Sequence, residues 1–144
     1  VTCATNPSVK QQFPNLDDSN HSETSPRSPK YNCIAWAAGD SSRFWWPEYA
    51  YWPPDVSTDL TLDSFIAAFQ TLGYELCDSP EYEPNFEKIA IYTKSGRPTH
   101  AARQLPKGLW TSKLGRYVDI EHSIDALDGP AYGTIEAYMK RPVS

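Results

Sequence analysis

Apolar residues along the 144-residue chain fall into several patterns, and each predicts a different kind of element. Leu62, Phe65, Ile66, Phe69 and Leu72 recur at the three- and four-residue spacing of one helix face. Thr61 before them is an N-cap and Gly73 after them a stop, so this stretch predicts the clearest helix. From Glu87 the pattern turns to strand. Ile89 and Ile91 alternate with Ala90 and Tyr92, Lys94-Ser95-Gly96-Arg97 reads as a hairpin turn, and Thr99 to Leu105 is the return strand. Pro106-Lys107-Gly108 turns again into Leu109-Trp110-Thr111-Ser112. Asp119 caps a short expected helix with Ile120, Ile124 and Leu127 on its buried side, ending near Gly129. Tyr132 to Met139 is the last expected strand, closed by Pro142. Helices early and antiparallel strands late predict an α+β class.

Two stretches break these patterns. Pro7, Pro14, Pro26 and Pro29 lie among Ser, Asn and Asp in residues 1–30. They predict an extended arm, anchored by Phe13 and Leu16 and packed on a core of 31–144, all within a single domain. Residues 44–54 carry Phe44, Trp45, Trp46, Tyr49, Tyr51 and Trp52. Pro47, Pro53 and Pro54 remove donors and fix φ there, so this is a loop, either a lid or one wall of a cleft. Between arm and loop, Cys33 to Ala38 is a short apolar run bounded by Asn32 and Gly39. Asn32 as N-cap puts Cys33 in the first turn of a short helix.

Composition narrows the function classes. The net charge is −5 with Lys and Arg scattered, so neither nucleic acid nor an anionic membrane is expected as a partner. No apolar run approaches the ~20 residues that span a bilayer. The first residues lack the charged-then-apolar pattern of a signal peptide, and the compartment stays open between the cytoplasm and delivery as an effector. A monomer is expected. Cys3, Cys33 and Cys77 are an odd set, and pairing Cys3 with Cys77 leaves Cys33 free. Cys33, His100 and His122 lack zinc-ligand spacing, so no metal and no cofactor is expected.

Chemistry concentrates on Cys33. The amide donors of a helix start favour a thiolate, and His100 enters the strand Thr99 to Leu105 as a base for it. Ala101 and Ala102 beside His100 are small enough for a cysteine-bearing helix to approach. If Pro106 to Gly108 is a three-residue hairpin loop, Leu105 pairs with Leu109 and Ala102 faces Ser112. Ser112 then lies diagonal to His100 and orients its imidazole, whereas a two-residue loop presents Thr111 or Lys113. His122 is expected on the solvent side of the short helix. Trp46 and Trp52 are candidates for gripping substrate, with core packing as the alternative, and Lys113 or Arg103 for holding a carboxylate.

Helix-borne Cys33 followed by strand-borne His100 resembles the papain-like cysteine hydrolases, nearest to the NlpC/P60-type cell-wall peptidases. Asn32-Cys33 with its apolar helix, and Ile89-Ala90-Ile91-Tyr92 turning into Thr99-His100-Ala101, carry that resemblance. Asn32 stands where those peptidases usually place Asp, and no Asn-Trp pair follows His100. The whole chain is also similar to an uncharacterised bacterial family of small domains. The marks are Tyr31 to Ala37, Trp45-Trp46-Pro47, Thr99 to Arg103 and Trp110 to Gly115. The first resemblance implies a Cys-bearing helix packed on a small antiparallel sheet. It also implies hydrolysis or deamidation of an amide in a peptide or protein substrate through a thioester. Interception of that thioester by an amine gives the transferase alternative. A non-catalytic aromatic-rich binding module is the remaining one.

Overall fold

The computed structural model describes residues 13–15, 21–25, 30–114, 119–129 and 131–143. Within them the fold is α+β, with two helices and one antiparallel sheet. In chain order the elements are β1 (His21–Ser25), α1 (Cys33–Ala38), α2 (Leu62–Gln70) and β2 (Glu75–Cys77). They continue with β3 (Phe86–Lys94), β4 (Arg97–Gln104), β5 (Trp110–Lys113), β6 (Asp119–His122) and β7 (Thr134–Pro142). The sheet order is β1-β6-β5-β4-β3-β7-β2. No helix among the described residues is long and apolar enough to cross a membrane.

Local chemistry sets the ends of both helices. Asn32 Oδ1 accepts the Ala35 amide at 3.1 Å, and Gly39 closes α1 in the left-handed region at φ +83°. The same Asn32 side chain bonds both backbone groups of Trp45, so one residue starts the helix and fastens the aromatic loop above it. Thr61 caps α2 through the Ser64 amide. In the β3–β4 turn, Ser95 and Gly96 both have positive φ, which matches the strand twist of a two-residue hairpin.

The helices cover one face of the sheet. Ile34, Ala35, Phe65 and Phe69 pack there against Ile89, Ile91, Ala101 and Met139. On the opposite face Ala90, Tyr92, Ala102, Trp110 and Ile120 meet Phe13 and Leu127. Burying both faces accounts for the near-continuous apolar run of β3.

Three expectations change. Asp119 to His122 is a strand between β5 and β1, and only a turn at 124–127 follows it, because pairing on both edges overrides the helical spacing. The arm contributes β1, an edge strand, while Phe13 is buried as expected and Leu16 lies outside the described residues. β2 is a short edge strand on β7 that the apolar pattern does not announce.

Candidate functional site

Strand β4 divides the expected site between its two faces. Its register sets Ile91 opposite Ala101 and Tyr92 opposite His100, with Thr99 as an extra residue before Pro98 pairs with Thr93. Ile91 and Ala101 belong to the helix-covered core, so the even-numbered neighbour His100 points away from α1. The His100 ring stacks on Tyr132 at 4.0 Å between centroids and meets Tyr92 edge-on, both on the far face. Cys33 Sγ lies over the backbone of β4, 4.0 Å from the Thr99 carbonyl oxygen. The strand itself therefore separates the thiol from the imidazole. The expected Cys33–His100 dyad is corrected on this ground: the bulge and the alternation put the two side chains on opposite sides.

What His100 does meet is Ser112. The three-residue loop holds, with the Leu105 amide bonded to the Leu109 carbonyl at 2.7 Å, and Ser112 falls on the His100 face. His100 Nε2 is 2.9 Å from Ser112 Oγ, which is 2.7 Å from His122 Nε2. His122 Nδ1 lies 2.7 Å from the Ser123 carbonyl oxygen, which can only accept, so Nδ1 carries the proton. With neutral rings the order is then forced. The Ser112 hydroxyl donates to His122 Nε2 and accepts from His100 Nε2–H. His100 Nδ1 is left as a buried lone pair with no hydrogen-bond partner. His122 is thus corrected from a solvent-side helix position to a buried member of this chain, because β6 is a strand.

Burial, and then the neighbouring His122, push the His100 pKa well below 6.5. The folded protein keeps the ring neutral while the unfolded chain protonates it, so stability should fall as pH drops below about 6.5. The expected slope is up to ~1.4 kcal/mol per pH unit until the lowered pKa is reached. Urea midpoints at neutral and mildly acid pH, compared with His100→Gln, measure it: the variant should lose most of that slope.

On the helix-covered face a second polar group lies near Cys33. Lys113 and Asp119 face each other across β5 and β6, and both are buried. The Tyr31 hydroxyl donates a short hydrogen bond to Asp119 Oδ2, and Lys113 Nζ lies 5.2 Å from the Tyr31 ring centre. Tyr31 stacks on Trp36, whose indole N–H donates to Thr111 Oγ1 at 2.9 Å. Burial pushes the Cys33 thiol up to about 11, opposed by backbone hydrogen bonds, chiefly from Ala101, and by the charge of Lys113. Burial also lowers the Lys113 pKa from 10.5, against the pull of Asp119 and Cys33.

The aromatic loop serves the core in this structure. Trp46 and Trp52 both lean on Phe65, and Trp52 Nε1 bonds the Ser57 carbonyl. Sequence reasoning missed Tyr31, and took Asp119 for a helix cap. The alternation of Thr111 and Lys113 against Ser112 was the available signal, once β6 is known to pair with β5. Among the described residues no cluster of three or more His, Cys, Asp and Glu side chains is placed to hold a metal ion. Cys33 and Cys77 are free thiols, and the Cys3 pairing lies outside the described residues.

A family model described as a domain of unknown function (DUF7689) matches residues 22–140. No curated protein and no solved structure matches the chain.

Proposed function

We propose, from the premise that the chain belongs to the DUF7689 family of domains of unknown function, that it is a cysteine hydrolase of papain-like element order. Lys113 then takes the place of His100 as the base. The supporting observation is that Cys33, Lys113 and Asp119 are buried together on the face covered by α1. In this mechanism Cys33 Sγ attacks the carbonyl carbon of an amide while its proton passes to neutral Lys113 Nζ. The resulting ammonium, stabilised by Asp119, returns that proton to the leaving amine. Water then hydrolyses the thioester. Burial raises the thiol to about 11 and lowers the amine from 10.5, so the proton transfer runs uphill in the resting site and depends on Asp119 to hold the ammonium. Serine–lysine pairs run acyl transfer by the same logic.

A peptide- and muropeptide-linked acyl probe, read by mass spectrometry at Cys33, tests this. Lys113→Met should slow labelling by about a hundredfold, the usual weight of a general base. Lys113→Arg should not restore it, because a guanidinium stays protonated. Labelling should quicken as pH rises through the lowered Lys113 pKa, and His100→Ala should leave the folded protein's rate within about threefold. Labelling no faster at Cys33 than at Cys77 would rule the proposal out.

A second reading is favoured by the 8% exposure of Cys33 and its raised pKa. It makes the domain a non-catalytic binding module with Cys33 as a packed core thiol. In that case no probe labels Cys33 and simple alkylation is slow at neutral pH.

A further inference from the structure

Between β4 and β5 the sheet has a short seam. Arg103 pairs with Thr111 and Gln104 with Trp110, both beside the 105–108 turn. β3, by contrast, runs paired with β7 from Phe86 to Thr93 and with β4 from Ile89 to Lys94. Away from the turn, side chains close the β4–β5 seam. On the far face the chain of His100, Ser112 and His122 crosses it, tying β4 to β5 and β5 to β6. The apolar cluster under the helices takes residues from α1, α2, β3, β4 and β7 but, among the described residues, none from β5 or β6. Parting the seam therefore leaves that cluster whole and uncovers Trp110, Leu114 and Ile120 of the other.

The histidine chain closes the seam only while both rings are neutral. The Ser112 hydroxyl has one donor and two lone pairs. A proton added at His100 Nδ1 makes an N–H where no acceptor lies. A proton added at His122 Nε2 turns that nitrogen into a donor, so Ser112 receives two N–H groups and its own hydroxyl has no acceptor. If His100 changes tautomer to take that hydroxyl, the unmatched N–H moves to Nδ1. Every arrangement buries a charge with an unmatched donor, whereas an open seam gives both rings to water.

Nothing around His100 offsets that cost. Tyr92 of β3, Tyr132 and His122 of β6 face the ring, and no carboxylate bonds it. His122 has Trp110 of β5 and His21 of β1 as its register partners. Asp125 and Asp128, on the segment after β6, act on Tyr92. Burial raises Asp128, which takes its proton more readily in the closed form and so opposes acid opening.

We propose that the β4–β5 seam is an acid-operated hinge, at which proton uptake by the His100, Ser112 and His122 chain parts β5, β6 and β1 from a still-folded remainder of the sheet and its helices. The hinge does not need the hydrolase reading. Resting on that reading, it is also an acid off-switch, because Lys113 leaves with β5 while Cys33 stays against Thr99 of β4.

Amide hydrogen exchange on the full chain, between about pH 7 and about pH 5 and corrected for intrinsic rates, tests the hinge. Amides of β5 and β6 should be protected at least ~tenfold less than those of β3 at each pH, since they open without global unfolding. Their protection should fall by up to ~tenfold per pH unit for each proton taken up, below about pH 6.5. His100→Gln can still donate to Ser112 but takes up no proton, and should lessen that fall. Should the variant fail to fold, the regional difference in the unaltered protein still decides. One common protection across β3, β5 and β6, no fall with pH, or a fall as steep in a folded His100→Gln would overturn the hinge. Regional opening in a protein whose Cys33 takes no acyl probe would support the hinge and remove only the hydrolase reading.

Discussion

Ser112→Ala is expected to destabilise the protein by about 4 kcal/mol, since two buried imidazole nitrogens lose their only shared partner. The variant removes one hydroxyl, yet it strands the N–H of His100 and takes the donor from His122 Nε2 at the same time. Neither ring can reach water, because both are buried. An orphaned buried polar group costs roughly 1–3 kcal/mol, and the two penalties arise at one site. Urea unfolding gives the loss, and imidazole nitrogen NMR gives its cause. In the unaltered protein His100 should show a protonated Nε2 and a bare Nδ1. Loss of stability without any change at the two histidines would mean that Ser112 matters only for packing.

Gly133→Ala is expected to cost as much or more, about 4 kcal/mol at least, for a backbone reason. Gly133 has φ +78°, and a Cβ there would stand 2.0 Å from the Thr93 carbonyl oxygen. That oxygen belongs to β3, which is paired on both sides, so it cannot retreat. Tyr132 must move instead. It stacks on His100, and its carbonyl accepts from Thr99 Oγ1, so the strain should spread into the histidine chain. A thermal midpoint close to that of the unaltered protein would show that the segment can shift without loss.

The sequence disclosed what local chemistry controls. Thr61 with five spaced apolar residues specified α2, Asn32 and Gly39 bounded α1, and alternation with a turn at Ser95-Gly96 specified the β3–β4 hairpin. The polar edge strands did not show. His-Ser-Glu-Thr-Ser in β1 and Glu-Leu-Cys in β2 carry no alternating run of apolar residues to read. Asp119 to Leu127 misled because Ile120, Ile124 and Leu127 fit helical spacing, while the deciding partners, β5 and β1, are remote in sequence.

The site divides along the same line. The Ser112–His100 contact was accessible because loop length sets parity. The side of the sheet that α1 would cover was not, because alternation defines two faces without saying which one meets a helix. Cys33 and His100 each sit where the pattern put them along the chain, but α1 packs on the face of β4 opposite the one that carries His100.

The place of β7 between β3 and β2 bears on the order in which the sheet can be completed during synthesis. Both neighbours leave the ribosome before it does. Until residues 134–142 arrive, the Ile89-Ala90-Ile91-Tyr92 edge of β3 has no partner on that side and β2 has nowhere to dock. A nascent chain at that stage displays an apolar, unpaired strand, the kind of edge that recruits other chains. Any pause before residues 134–142 lengthens the time for which this edge stays open to other chains.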